Sequence, residues 1–238
     1  AGSVHNATVI LDSEIYDLDT RIGSAASDIE ALQASIGQSS TVEWVDLGLS
    51  VMWAKCNVGA KNETDYGSYF QWGDIINKTN SNCDWTTYKH CNGSGTNLTK
   101  YNNKSSYGAV DDKTTLDPED DAAAQIMGGA WRMPTETEIQ ELITNTTNEW
   151  ISNYNGSGVN GWKFISKTDT SKYVFFPANG HAYGTGVDNR GSFGGYWSSS
   201  LDINYPDSSE YLHFGTKYIY PQVSNSRYHG FGIRSVMD

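Results

Sequence analysis

Five histidines, three cysteines and one dense run of carboxylates are the groups in this 238-residue chain best suited to catalysis or metal binding. The histidines stand at 5, 90, 181, 213 and 229, without the close spacing that lets neighbouring imidazoles share a metal ion. Cys56, Cys83 and Cys91 form no CxxC, and an odd number closes no simple disulfide framework. A Cys83–Cys91 pair, a pair of Cys56 with either, and three free thiols all stay open. The carboxylates Asp117, Glu119, Asp120 and Asp121 read as a helix start. Asp117 suits the N-cap, Pro118 the first helical position, and the acids that follow complement the positive end of the dipole. GxSxG, P-loop and HExxH patterns are all absent. "GTGVDNRGSFGG" has neither a buried strand before it nor a helix after it, so it reads as a loop. The expectation is no catalytic residue, no metal and no cofactor.

Recognition leaves a stronger trace. "EYLHFGTKYIYPQVSNSRYHGFGIRSV", near the end of the chain, mixes apolar residues with tyrosine and small polar ones. Tyrosine gives large contact area at low entropy cost, and Ser, Gly and Asn give adaptable hydrogen bonds. Strand alternation puts Leu212, Phe214 and Ile219 inward. Tyr211, His213, Tyr218, Tyr220 and Gln222 then point outward. The candidate ligand-binding residues are Asp202, Asn204, Tyr205, Ser208, Glu210, His213, Tyr218, Tyr220, Gln222, Ser224, Asn225, Tyr228 and His229; all of these except Asp202, Asn204 and Ser224 are expected to form one exposed patch.

The elements that must hold such a patch are short. From Val42 onward, apolar stretches such as "VMWAKCNV" and "KYVFFPA" alternate with Gly, Asn and Ser clusters, which predicts strands and long connections. Two helices interrupt them. One is "LDPEDDAAAQIMGG", ended by Gly128. The other is "RMPTETEIQELI", where Thr135 and Glu138 make a capping box and Ile139, Leu142 and Ile143 form one apolar face. Residues 73–116 read as a loop-rich insertion. The class is α+β. A net charge of -12 supplies no basic footprint for nucleic acid. No apolar run approaches the roughly 18–20 residues of a membrane span.

The first segment follows another rule. Leu11, Ile15, Leu18, Ile22, Ala25, Ile29, Leu32 and Ile36 step alternately by four and three, a heptad seam with Ile at a. Residues 1–36 therefore read as a coiled-coil oligomerisation helix, 37–41 as a linker, and 42–238 as the ligand-binding domain. Ile at a with Leu at d favours a dimer, whereas the small uncharged flanks suit a wider seam such as a trimer.

Several segments carry a family resemblance: "WVDLGLSVMWAKCNVGA", "YGSYFQWGD", "DDAAAQIMGGAWRMPTETEIQEL", "GGYWSSS" and the closing "GFGIRSV". In this order, from about Val42 to Met237, they resemble the major-paralogous-domain (FISUMP) family of secreted and surface proteins. "WRMPTETEIQEL" and "GFGIRSV" also resemble the formylglycine-generating-enzyme-like group. The resemblance implies a C-type-lectin-like fold. It carries over neither the enzyme's chemistry, since no cysteine follows Cys91, nor a lectin calcium site, since Glu-Pro-Asn and Gln-Pro-Asp triplets are missing. The design is also similar to variable proteins of diversity-generating retroelements, some of which are trimeric phage tail tips. That likeness implies a hypervariable stretch between Asp202 and His229 on a fixed scaffold. It further implies a homotrimer and an extracellular place on a virion tail tip or, alternatively, a bacterial surface. The partner would be a cell-surface receptor, glycan or protein.

Overall fold

The computed structural model describes Leu18, Arg21, Ile22 and residues 42–238, except for the side chains of Pro221 and Gln222. The chain divides into two units, Ala1–Thr41 and Val42–Asp238. In the first, Leu18, Arg21 and Ile22 are helical and exposed. The other seam positions (Leu11, Ile15, Ala25, Ile29, Leu32 and Ile36) and the linker lie outside the described residues.

The second unit is mixed α and β with mostly antiparallel sheets. Its central sheet runs β10 (Tyr218–Ser226), β9 (Ser208–Gly215), β8 (Phe193–Leu201). A second sheet joins β3 (Thr146–Ile151), β4 (Gly161–Ser166) and β5 (Tyr173–Pro177). In a third, the last strand β11 (Val236–Met237) closes on β2 (Met52–Ala54), which pairs with β1 (Trp44–Val45). A small hairpin, β6 (His181–Tyr183) with β7 (Gly186–Asp188), is bridged to the closing segment at Ala182 and Gly230. The stretch read as a loop, "GTGVDNRGSFGG", thus contributes β7 and the start of β8.

Both predicted helices form, with one cap moved. Helix α2 (Glu136–Asn145) carries the expected capping box between Thr135 and Glu138 and buries Ile139 and Leu142. Helix α1 (Ala122–Met127) is capped by Asp121, which accepts from the Ala123 and Ala124 amides at 2.8 and 3.0 Å. Asp117 only precedes a 3-10 turn, Pro118–Asp120, and its side chain caps nothing. The acidic cluster offers more than one aspartate as a cap, and the one that precedes the buried Ala122 and Ala123 is used.

Two buried clusters flank the central sheet. One joins Leu212, Phe214 and Tyr196 to Ile139 and Leu142 of α2 and to Phe164 and Phe176. The other joins Trp197 and Tyr211 to Trp72, Tyr101, Phe231 and Ile233. Strand β9 is thus buried on both faces at its centre, and Tyr211, expected outward, is a core residue. The glycines of "GGYWSSS" follow from this crowding. A Cβ at Gly194 would sit 2.0 Å from the Phe214 ring, and one at Gly195 would sit 2.5 Å from Phe231.

Two fully buried arginines tie the closing segment to distant loops. Arg234 donates to Asn57 Oδ1 and to the carbonyls of Ala54, Lys55 and Phe175. Arg227 donates to the carbonyls of Tyr101 and Lys100, both in the 73–116 insertion. That insertion is loop-rich as expected, yet it buries Tyr88, Leu98 and Tyr101.

Candidate ligand-binding face

A β-bulge decides which candidates share a face. Tyr218 pairs with Gly215 and Tyr220 with His213, but Val223 pairs with Tyr211, so Pro221 and Gln222 together oppose Leu212. One inserted residue reverses the side-chain phase along the rest of β10. His213, Tyr218, Tyr220 and Asn225 therefore share one face of the sheet. Glu210, Ser208 and Ser224 lie on the opposite face with Leu212. Pro221 itself sits on an edge strand, where it blunts further pairing. The side chain of Gln222 lies outside the described residues.

The candidate set, and with it the expected patch, is therefore corrected in three places. Asp202 is buried, and its Oδ1 accepts from the amides of Asn204 and Tyr205 at 2.8 and 3.1 Å, holding a turn. Asn204 and Tyr205 project from that turn, whose carbonyls are held by Asn103 and Lys104, and so lie apart from the sheet candidates. Glu210, Ser208 and Ser224 form the opposite-face group. Burial, with Glu136 and Asp202 nearby, pushes the Glu210 carboxyl up to about 7.

The remaining aromatic candidates, His213, Tyr218, Tyr220, Tyr228 and His229, belong to a continuous run of rings. Tyr220 stacks on Tyr218 at 5.0 Å between centroids, and Tyr218 meets His213 at 5.3 Å. His213 meets Phe193 at 4.9 Å, and Phe193 meets His181 at 5.4 Å. His181 lies nearly parallel to His229 at 5.7 Å, which touches Tyr228 at 4.5 Å and Tyr183 at 5.2 Å. Trp85 closes the run against Tyr228 at 5.0 Å. Tyr183, Tyr218 and Tyr220 are 51%, 41% and 50% exposed, which makes the run a surface and not a core.

Phe193, His181, Tyr183 and Trp85 were not anticipated. The one available signal was "HAY", a Gly-bounded segment with the same His and Tyr composition as the closing strands.

The histidines keep this face uncharged. Burial, together with His181, pulls His229 down to about 4. Burial also lowers His181, with Asp188 opposing, and lowers His213. Hydrogen bonds link Tyr211 to His213 at 3.1 Å and His213 to Tyr218 at 3.3 Å, so one ring sets the next.

Elsewhere, the acidic cluster is paired with cations. The carboxylates of Asp117, Glu119 and Asp120 lie within 4.8 Å of one another. The Lys100 ammonium stands 2.7, 3.4 and 2.6 Å from them. Burial raises Asp120, but hydrogen bonds from Lys100, Lys89 and Tyr101 outweigh it and hold the acid well below its usual range. A cleft of about 330 Å³ beside α1 is lined by Leu116, Ala124, Trp131 and Met133. The carboxylate of Asp121 at that cleft is already occupied by the amides of Ala123, Ala124 and Met133. Cys56, Cys83 and Cys91 are free thiols, so none of the three disulfide pairings forms. Burial pushes Cys83 up to about 11, far from a reactive thiolate. Among the described residues, no helix is long and apolar enough to cross a membrane. Comparison with family models, curated proteins and solved structures found no match for this chain.

Proposed function

We propose that the chain is a non-catalytic receptor-binding protein, with the ring run as its binding face on a C-type-lectin-like domain of the FISUMP kind. The observation that carries the reading is the unbroken line of rings from Tyr220 to Trp85, with three half-exposed tyrosines and neutral histidines. Large rigid rings give contact area without ordering cost, and neutral imidazoles avoid the penalty of desolvating a charge. The mostly antiparallel, helix-poor fold suits the lectin-like scaffold. Segments that carry the family resemblance supply scaffold residues such as Trp53, Trp197 and Ile233, all buried.

The heptad seam would gather three such domains on a parallel trimer, in which weak single sites gain avidity. Leu18 and Ile22, two seam positions, are 52% and 62% exposed in the single chain, as a seam awaiting partners requires. A phage tail-fibre tip is the favoured setting, with hypervariable positions between Asp202 and His229, and a bacterial surface adhesin the second.

The test is binding of the labelled full chain to glycan arrays and to panels of intact bacterial cells. Replacing Tyr218 and Tyr220 together with Ala should weaken cell binding by about thirtyfold or more, as expected of hot-spot residues. Absence of binding to any cell or glycan, or binding indifferent to that change, would overturn the reading. Light scattering checks the assembly: a trimer that becomes monomeric in I22D/I29D supports it, and a monomeric unmodified chain overturns it.

A further inference from the structure

The two ends of the ring run differ in geometry. Tyr218 and Tyr220 lie 26° apart, a stacked pair that stands off the sheet. At the other end the rings tilt toward one another. Trp85 and Tyr228 cross at 62°, Tyr183 and Tyr228 at 45°, Tyr183 and His229 at 33°, and Tyr228 and His229 at 45°. Four rings within 4.5 to 6.2 Å of their neighbours, none of them stacked face to face, gather in one region.

This arrangement is built in advance. It draws on three chain segments, and backbone bridges tie them together. Cys83 N donates to the Gly184 carbonyl at 2.8 Å, and Ala182 and Gly230 exchange amide–carbonyl bonds at 2.7 and 2.9 Å. Gly230 admits this approach because a Cβ there would lie 2.8 Å from that of Ala182. Buried Gln71 donates from one Nε2 to the Asp84 carbonyl, the Thr87 hydroxyl and the Tyr228 carbonyl, at 3.3, 3.2 and 3.0 Å. The Cys91 thiol holds the Trp85 carbonyl at 3.1 Å. Little ordering is left for a ligand to impose.

The electrostatics favour one sign of ligand. The chain has 28 acidic against 16 basic residues. Asp84 belongs to the same turn as Trp85, and hydrogen bonds from Thr86, Asn82 and Thr87 hold it ionised. Its charge reaches Tyr228, while Asp188 lies directly across the hairpin from His181. Seven cation–π contacts among the described residues all use other rings, so internal cations leave these faces free. His229 adds no competing charge near neutrality.

We propose that Trp85, Tyr183, Tyr228 and His229 form an aromatic cage, with Asp84 as counter-charge, for a lysine or arginine side chain presented by a protein partner. The cage deepens the receptor-binding reading and rests on it: the partner is a protein with a basic patch, held at one end by the cage and along its length by the tyrosine ridge. Cations prefer the negative face of aromatic rings, and the preference grows where water is excluded.

The experiment titrates the full chain with Nα-acetyl-lysine methylamide, the matching arginine compound, the neutral norleucine compound and choline, followed by NMR of the aromatic side chains. The lysine or arginine probe should bind with Kd on the order of 1–10 mM, and the norleucine compound should not respond. Tyr183→Ala and Tyr228→Ala should each weaken it about tenfold, and Trp44→Ala, at an exposed aromatic residue outside the ring run, should leave it unchanged. Higher ionic strength should weaken it further, because Asp84 is solvent-facing. Tyr183 is half-exposed, so its variant keeps the fold even if Tyr228→Ala does not. Equal binding of the norleucine compound, or cation binding that survives both substitutions, would overturn the proposal. Choline binding without lysine or arginine binding would also overturn it, in favour of a quaternary-ammonium headgroup. Cation binding in a chain that adheres to no cell would leave the cage and remove the adhesion reading. Adhesion without cation binding would do the reverse.

Discussion

Tyr211 and His213 leave β9 on the same face, two residues apart, and meet different environments. Above Tyr211 lies Phe231, stacked at 4.6 Å and 7°, with Trp197 crossing beside it. Around His213 the neighbouring rings are the half-buried Phe193 and the exposed Tyr218 and Tyr220. One face of one sheet is therefore core at one end and surface at the other. The difference lies in Phe231, which the antiparallel bridge to Phe70 sets over Tyr211. Residue type does not separate binding from packing here; what lies overhead does.

The strongest way to break this contrast is to remove the roof. Phe231→Ala should cost about 3–5 kcal/mol of folding stability, since it leaves a cavity against Trp197 and Tyr211. Tyr220→Ala, at the open end, should cost less than about 0.5 kcal/mol. Denaturant unfolding of both variants gives the comparison directly. Similar losses would mean that the open end is packed too.

A smaller effect sharpens the same contrast through glycine. Gly194→Ala would drive a methyl into the buried Phe214 ring at 2.0 Å, with a cost of about 1–3 kcal/mol. Gly215→Ala meets the Tyr218 ring at 2.6 Å, but that ring is exposed and can swing away. Stability should then change by under about 1 kcal/mol, while binding through Tyr218 falls because its platform has moved. Thermal melts combined with cell binding separate the two outcomes.

Local rules were legible in the sequence and long-range ones were not. The capping box of Thr135 and Glu138 depends on four adjacent residues, and it forms as read. The cap at Asp121 was missed in favour of Asp117 because the choice depends on Ala122 and Ala123 being buried, a tertiary fact. Period-two alternation placed Leu212, Phe214 and Ile219 on the core side correctly. It failed at Tyr211 because β9 packs on both faces, and at Ser224 because one inserted residue at Pro221–Gln222 reverses the phase. Proline in a strand marks such irregularities, so that slip had a signal. Trp85, Tyr183 and Tyr228 are brought together by backbone bridges between segments roughly a hundred and fifty residues apart at the extremes, and no local pattern encodes that.

The smallest predicted effect compares the two faces by pH. On the core-side face, Glu210 has its carboxyl raised from 4.5 to about 7. The folded state then holds a proton that the unfolded state releases between those values. Its contribution is present below about 4.5 and is lost as pH rises through about 7. On the ring face, His229 is lowered from 6.5 to about 4. There the unfolded state binds the extra proton, so stability is lost as pH falls from 6.5 toward 4. The two slopes oppose each other across the same acid window, and the unmodified chain should show a shallow stability profile there. Glu210→Gln removes one of them. The variant should match the parent near pH 4.5 and exceed it by about 1 kcal/mol at pH 8, after allowing for solvent screening of a partly exposed group. Its stability between pH 4 and 6.5 should fall more steeply with acid than the parent's, because His229 now acts unopposed. Urea unfolding at several pH values measures the difference curve, and a flat difference would show that Glu210 titrates as an ordinary surface carboxylate.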